Sequence, residues 1–415
     1  MQILSCLWGD DLMALKALDL FCGMGGLSWG LKATGVIEPF WAVDNHNPAL
    51  ALYRRNLPNT CVLNLDLSKL SNIRELLEKI RFNGGVDLVV GGSPCRGFTQ
   101  IRNGQDTDSD PHNRLVMKFA EIVRELNPIG FIYENVPTLE NFRVFKRFIG
   151  RLRGRNSYSV THAVVEAANF GNPSRRKRLF VVGIRWDVGQ VPIIPKGLDI
   201  PHHNFWWQRD EQNGKILYYP KLKEPWRSRL VNPDEEQLVN VEQAISDLPI
   251  LESKTHGSNR SYSTPPQSAY QKWARQQLKE TDGHVVQRIR PETLCRLKAV
   301  IPGGNWRDLP EPLTYKIPGD PTSGKLRRSH YSAYRRLLPE GHSPTVQGHA
   351  DFAYHYKYER TLTPRELARL MGFTDDFRLG HEYHSVVQAI GNAVPPILAK
   401  AIAQSLIRQL DQCSR

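Results

Sequence analysis

The stretch Leu18-Asp19-Leu20-Phe21-Cys22-Gly23-Met24-Gly25-Gly26 decides how this chain reads. A β-rich run over residues 16–20 enters a loop in which three of four positions are glycine, and a helical pattern follows. Glycines so closely spaced let a backbone turn sharply and approach a ligand. The stretch therefore predicts a strand, a tight loop and a helix in direct succession. The same alternation continues outward: residues 40–44, 62–66, 86–90, 130–134, 159–166 and 178–184 read as strands. Between them Leu70, Ile73, Leu76, Leu77 and Ile80 keep one apolar helical face, as do Leu115, Phe119, Ile122, Val123 and Leu126. Alternating strands and helices predict an α/β fold with a doubly wound, mostly parallel sheet, which binds ligands at the carboxyl ends of its strands.

Composition bounds the rest. The 415 residues are 40% hydrophobic and 23% charged, which excludes a disordered, collagen-like or coiled-coil chain. The formal charge of +13 permits a polyanionic partner such as nucleic acid. No stretch approaches the ~20 apolar residues that span a bilayer. The first twelve residues include Asp10 and Asp11 and lack a basic run, so a secretory signal is not expected and a cytoplasmic protein is. Six cysteines, at 6, 22, 61, 95, 295 and 413, form no CxxC pair. Neither a metal site, a dithiol nor a disulfide framework is expected, and any functional cysteine acts alone. Residues 191–345 hold 17 of the 28 prolines and five of the nine tryptophans, which reads as a second, smaller domain rich in loops and short strands. Helical order then returns. Thr363-Pro364-Arg365-Glu366 fits an N-cap, a first-position proline and a capping-box Glu for a helix stopping near Gly372, and Pro395 and Pro396 open a last helix. The expected division is an extension at 1–13, a core at 14–190, the Pro-rich domain at 191–345 and a return to the core at 346–415.

Several residues carry candidate chemistry. Asp44 ends the second strand, where a carboxylate can accept both hydroxyls of a ribose, so an adenosine-containing cofactor is expected over the glycine loop. The dehydrogenase fingerprint would need glycine at position 28 and finds Ser28, and there is no GKS/T. S-adenosylmethionine is thus favoured over NAD; the alternative is a turn that binds nothing. Asp87-Leu88-Val89-Val90-Gly91-Gly92-Ser93-Pro94-Cys95 carries a strand into a loop where a nucleophile would act, although a lone cysteine is also a small buried hydrophobe. Tyr133-Glu134-Asn135 places an acid at the edge of an apolar run, where burial raises a carboxyl pKa; a helix cap is the alternative. Arg176 and Arg178 share one face of the last strand while Lys177 faces away.

The ordered set DLFCGMGG, PCRGF, ENV, RRKR, RELARLMGF and GNAVPP resembles the motif series of the DNA (cytosine-5)-methyltransferases of bacterial restriction–modification type. The resemblance runs from about Leu15 to Leu410. It implies a Rossmann-like S-adenosylmethionine-dependent methyltransferase with 14–190 as catalytic domain and 191–345 as target-recognition domain. It also implies a reaction in which Cys95 adds to carbon 6 of a flipped-out cytosine, Glu134 serves ring nitrogen 3, and Arg178, with Arg176 nearby, stabilises the carbonyl oxygen or the nucleophile's surroundings. Phe21, Gly23, Gly25, Asp44, Asp66, Pro94, Leu115, Asn392 and Val394 would line the cofactor pocket. Arg96 to His112 resembles the loop that closes on the extruded base. Arg96 stands where the family commonly has Gln or Glu, Ser174 replaces a Gln, and His355-Tyr356 replaces a His-Pro pair.

Double-stranded DNA is the expected partner, with a cognate endonuclease acting on the same sequence without touching this chain, and a monomer is expected. Tyr315 to Leu338 is basic and interleaved with Tyr331 and Tyr334, so Arg327, Arg328, Arg335 and Arg336 are candidate DNA contacts, with a solvated basic face as the alternative. Thr345, in His342-Ser343-Pro344-Thr345-Val346, resembles a segment near the DNA backbone. Arg143 to Arg155, also basic, reads as an exposed helix face. Two other functions stay open: a tRNA cytosine-5 methyltransferase, whose marker Cys-Phe-Thr is absent from the sequence, and a catalytically silent DNA-binding regulator.

Overall fold

The computed structural model describes residues 14–94, 111–154, 156–197, 208–209, 216–217, 238–251, 261–262, 264–305, 308–310, 313, 334–349, 352–380 and 382–412. All seven expected strands form. They are β1 (Leu15–Leu20), β2 (Ile37–Asp44), β3 (Cys61–Asn64), β4 (Leu88–Gly91), β5 (Gly130–Asn135), β6 (Tyr158–Glu166) and β7 (Lys177–Arg185). Their order is β3-β2-β1-β4-β5-β7-β6, parallel except for β7, which runs antiparallel to both neighbours. The central strands are buried on both faces, Leu18, Leu20 and Val89 toward one layer and Ala17, Leu88 and Val90 toward the other. That explains their unbroken apolar runs.

One layer is built by α3 (Leu70–Phe82), α4 (Pro111–Leu126) and α5 (Arg143–Leu152), which bring Leu76, Ile80, Phe119, Val123 and Phe148 onto the sheet. The other is α1 (Gly26–Lys32) with the last helix, α11 (Pro396–Gln412), through Leu27, Leu31, Leu398, Ile402 and Leu406. Thus the C-terminal segment closes one face of the sheet. The approach is close enough that a Cβ on Gly26 would lie 2.3 Å from the Val394 carbonyl oxygen. Together α10 (Tyr383–Asn392) and α11 make a stretch long and apolar enough to cross a membrane, contrary to the expectation of none. It is broken at Pro395 and is 72% buried within the fold, as a core helix pair is.

Residues 191–345 contribute short helices among those described: α6 (Val241–Ile245), α7 (Ala269–Arg275) and α8 (Pro291–Ala299), beside one pair of two-residue strands, Gln208–Arg209 and Ile216–Leu217. Helices of five to nine residues hold too few turns for an apolar period to register in sequence. Between α6, α7 and α10 lies α9 (Pro364–Leu370), opened by the expected capping box between Thr363 and Glu366. Its flanks are wholly buried, arginines included. Arg360 meets both Glu366 oxygens at 2.7 and 2.8 Å, and Arg369 meets both Asp375 oxygens at 2.6 and 2.7 Å and Asp247 at 3.0 Å. Arg365 pairs with Asp282.

Candidate active site

Parallel register brings the ends of β1 to β5 to one edge. Leu20 lies beside Gly91, Gly91 beside Tyr133, and Asp44 beside Asn64. At the first of these ends the chain turns through three left-handed residues, Phe21 (φ +58°), Gly23 (φ +53°) and Gly25 (φ +94°). Phe21 is the exception, since a bulky residue holds that conformation only where its surroundings enforce it. Asp44 supplies much of the enforcement: one carboxylate oxygen accepts the Gly23 N–H at 2.9 Å and the other the His46 N–H at 2.8 Å. Each oxygen keeps a further lone pair for a ligand. Asp66, beyond β3, is held below the usual carboxylate range, and therefore ionised, by the Ser68 hydroxyl and by the Ser68 N–H, which it accepts at 2.9 Å. Nothing lies within 4 Å of where a Gly23 Cβ would project, so the loop leaves open space over its backbone.

Beneath the loop lies a buried chain of hydroxyls that the sequence did not disclose. Tyr53 donates to Ser28 at 2.8 Å and Ser28 to Asp19 at 2.6 Å. Burial, aided by the Asp44 charge, raises Asp19 to about 7 despite the Ser28 bond. Ser28 had stood out only as a missing glycine; its use is to satisfy a buried carboxyl. Cys22, in the same loop, is buried with its thiol pushed up, the environment of an inert core cysteine.

Across the edge, Glu134, next to last in β5, lies opposite Phe180, so Arg178 is its diagonal neighbour on the same face. Arg178 Nε sits 2.8 Å from Glu134 Oε1, both side chains being 12% exposed. Burial raises the Glu134 pKa, while Arg178 and then Arg176 pull it down. The helix-cap alternative does not arise, because the following 3-10 turn, Pro137–Asn141, is capped by Val136 without a side-chain bond. Gly92 fits under this acid: a Cβ there would lie 2.7 Å from both the Glu134 carbonyl oxygen and Oε2. Arg176 needs a correction as a candidate for direct chemistry. It is buried, and its Nη1 and Nη2 donate to the carbonyls of Val346 (3.0 Å) and Gly391 (2.9 Å), so it staples β7 to the C-terminal segments. Cys95 lies outside the described residues, four positions past the end of β4.

The model of the C-5 cytosine-specific DNA methylase family matches residues 15–408. The chain belongs to this family. Type II methyltransferase M1.HphI of Haemophilus parahaemolyticus is 30% identical, over 95% of this chain and 87% of that protein. Type II methyltransferase M.DdeI of Desulfomicrobium norvegicum is 28% identical over 94% and 88%. DNA (cytosine-5)-methyltransferase 2 of Arabidopsis thaliana is 28% identical over 95% of this chain, which spans only 28% of that relative's length. Among solved structures, a candidate DNA modification methyltransferase encoded within a prophage (E. coli) superposes with a TM-score of 0.68 at 23% identity, covering 96% and 99% of the two chains. The Dnmt2 methyltransferase of S. pombe follows at 0.55 and 14%, covering 95% and 98%.

For a cytosine-5 DNA methylase the remaining candidate residues divide clearly. Val394 is buried against the glycine loop, and Asn392, two residues before it at the end of α10, is exposed. Leu115 is half-buried on α4 and Pro94 exposed at the sheet edge. Thr345 is half-buried, its hydroxyl 3.4 Å from the Arg175 carbonyl. Arg336 is a correction. Its guanidinium is caged by the carbonyls of Leu297, Val300, His355 and Lys357 at 3.0 to 3.4 Å, with Glu359 at 3.5 Å, and cannot reach a phosphate. Arg335 is half-buried beside it, while Arg327 and Arg328 lie outside the described residues, as do Arg96 to Asp110. Arg143, Lys146, Arg147 and Arg151 stand on the exposed face of α5, as read.

Proposed function

We propose that the chain methylates carbon 5 of a cytosine within a specific double-stranded DNA sequence, drawing the methyl group from S-adenosylmethionine, as the modification half of a restriction–modification system. The observation that carries this reading is the buried Glu134–Arg178 pair at the end of β5, one strand from the loop bearing Cys95 and on the same sheet edge as the Gly23–Asp44 cradle. The cradle suits an adenosine cofactor: open space over Gly23, an oriented carboxylate at Asp44 for the ribose, and an ionised acceptor at Asp66 for the adenine amino group. Phe21, Gly25, Pro94, Leu115, Asn392 and Val394 would complete the pocket. Bound there, S-adenosylmethionine supplies an electrophilic methyl group.

The chain's own work is to make carbon 5 nucleophilic. The target base must leave the duplex, at a cost of roughly a few kcal/mol. The Cys95 thiolate then bonds to carbon 6, and the electron pair of the 5,6 double bond is displaced toward nitrogen 3 and the carbonyl oxygen. Glu134, its pKa raised by burial, is the group placed to deliver a proton to nitrogen 3. Arg178 fixes Glu134 and lends positive charge where negative charge develops. After carbon 5 is methylated, loss of its proton to a base restores the 5,6 double bond and expels Cys95, and the nitrogen-3 proton returns to Glu134. Residues 14–190 and 346–415 would form the catalytic domain and 191–345 read the target, in a cytoplasmic monomer that shares its sequence with an endonuclease without touching it.

The test is base-resolution mapping of 5-methylcytosine in plasmid DNA from cells expressing the protein, beside labelled-methyl uptake into duplex DNA and tRNA. One methylated sequence motif is expected. Uptake into tRNA alone, or into neither, overturns the reading. In the same assay Gly92→Ala is expected to lose at least about tenfold in rate while remaining folded, because its Cβ displaces Glu134. Unchanged rate would mean that the Glu134 position is not critical.

A further inference from the structure

Between β4 and Cys95 the chain has little of its own to hold it. The ladder stops at Gly91, and Pro94 has no N–H. The Ser93–Pro94 peptide therefore offers one hydrogen-bonding group, the Ser93 carbonyl. Asn135 takes it, Nδ2 donating at 3.0 Å. The same Nδ2 donates to the Tyr133 hydroxyl at 2.9 Å, and that hydroxyl lies 2.7 Å from Ser93 Oγ. Tyr133 and Asn135 are two apart on β5 and so share the face opposite Glu134. All three residues are buried. The ring of Tyr133 is clamped between Phe119 (centroids 4.8 Å) and Phe148 (4.7 Å), so its hydroxyl has a fixed address.

We propose that Tyr133 is a positioning residue for the nucleophile: through Ser93 and Asn135 it fixes the peptide plane that aims Cys95, while Glu134 works from the other face of the same strand. The hydroxyl is the group that distinguishes this residue. Phenylalanine would fill this aromatic site equally well, and a buried hydroxyl is costly unless bonded. Here its partners are the loop residue two positions before Cys95 and the amide that holds that residue's carbonyl. Ser93 is thereby gripped at both its side chain and its backbone, which restricts the rotation that would swing Pro94 and Cys95. The proposal rests on the reading of Cys95 as nucleophile.

The test is the single-turnover rate of covalent adduct formation on duplex DNA containing 5-fluorocytosine, with S-adenosylmethionine present, for wild type, Tyr133→Phe, Ser93→Ala and the double variant. DNA and S-adenosylmethionine affinities and thermal midpoints are measured alongside. Tyr133→Phe is expected to slow the adduct about tenfold, with both affinities within about twofold of wild type, since misplacing a reacting group costs rate and not binding. The double variant should be no slower than the slower single variant, because each cuts the same link. Adduct formation at the wild-type rate in both single variants, a loss matched by a loss of DNA affinity, or additive losses in the double variant would overturn the proposal. Ser93→Ala carries the test if Tyr133→Phe fails to fold. If wild type itself forms no adduct, the reading of Cys95 fails and the positioning role with it; normal wild-type trapping with indifferent variants removes only the positioning role.

Discussion

Cys95→Ser is expected to abolish methyl transfer, by more than about a thousandfold, while binding of target DNA persists. In the proposed mechanism the reacting species is a thiolate, and an alcohol at the same place is far less ionised near neutral pH. The enamine at carbon 5 cannot form without addition at carbon 6, so no partial route remains through Glu134 and Arg178 alone. The measurements are labelled-methyl uptake, trapping on 5-fluorocytosine duplex and a gel-shift titration of the same duplex. The other cysteines provide the contrast. Cys61, at the end of β3 opposite the one beside Asp44, and Cys295 on α8 are both exposed, so Cys61→Ser and Cys295→Ser should keep uptake within about twofold. An adduct persisting in Cys95→Ser would place the nucleophile elsewhere.

What could be read in the sequence was what depends on near neighbours. The central strands β4 and β5 were legible because each is a short apolar run bounded by Gly, Asp or Asn and buried throughout. Boundaries slipped by a few residues even at the buried β4, expected over 86–90 and formed over Leu88–Gly91, and they slipped at the edge as well. The edge strand β3 was expected over 62–66 and forms over Cys61–Asn64, with both its ends exposed. The Glu134–Arg178 pair was half legible: strand alternation put Arg178 and Arg176 on one face, but only the antiparallel register of β5 and β7 makes Arg178 the partner. Arg336 shows the opposite case. An arginine among lysines and tyrosines reads as a phosphate contact, and nothing local reveals four carbonyls arriving from residues up to 39 positions away. Asp19, Ser28 and Tyr53 likewise meet because the helices after β1 and β2 pack together, which no local pattern encodes.

The largest effect on stability is expected from Arg369→Leu, a loss of about 3–5 kcal/mol at pH 7, read from urea unfolding. Arg369 is fully buried on α9, and removing its guanidinium leaves Asp375 and Asp247 in the interior without their main counter-charge. The pH dependence separates this cause from lost packing. In the wild type the guanidiniums beside Asp375 and Glu366 hold both carboxyls below their ordinary values of 3.8 and 4.5, against the burial that would raise them. A depressed folded-state pKa stabilises above the unfolded value and is lost as pH falls through the folded one. His355 and His284, buried and held at about 3 and about 4 against an ordinary 6.5, act in the same sense: full stability above 6.5, progressively lost below it. Asp19, raised to about 7, has the reverse sign and loses its contribution as pH rises from 3.8 toward 7. The histidines and Asp19 are common to wild type and variant, so the difference between the two proteins isolates the carboxyl that Arg369 holds down, Asp375. Without Arg369 the Asp375 carboxyl takes up a proton at higher pH than in the wild type, and protonation removes buried charge that destabilises the variant. The gap between the proteins should therefore narrow as pH is lowered from 7 to 4. A gap of constant size would assign the loss to packing around α9 and not to the uncompensated carboxylates.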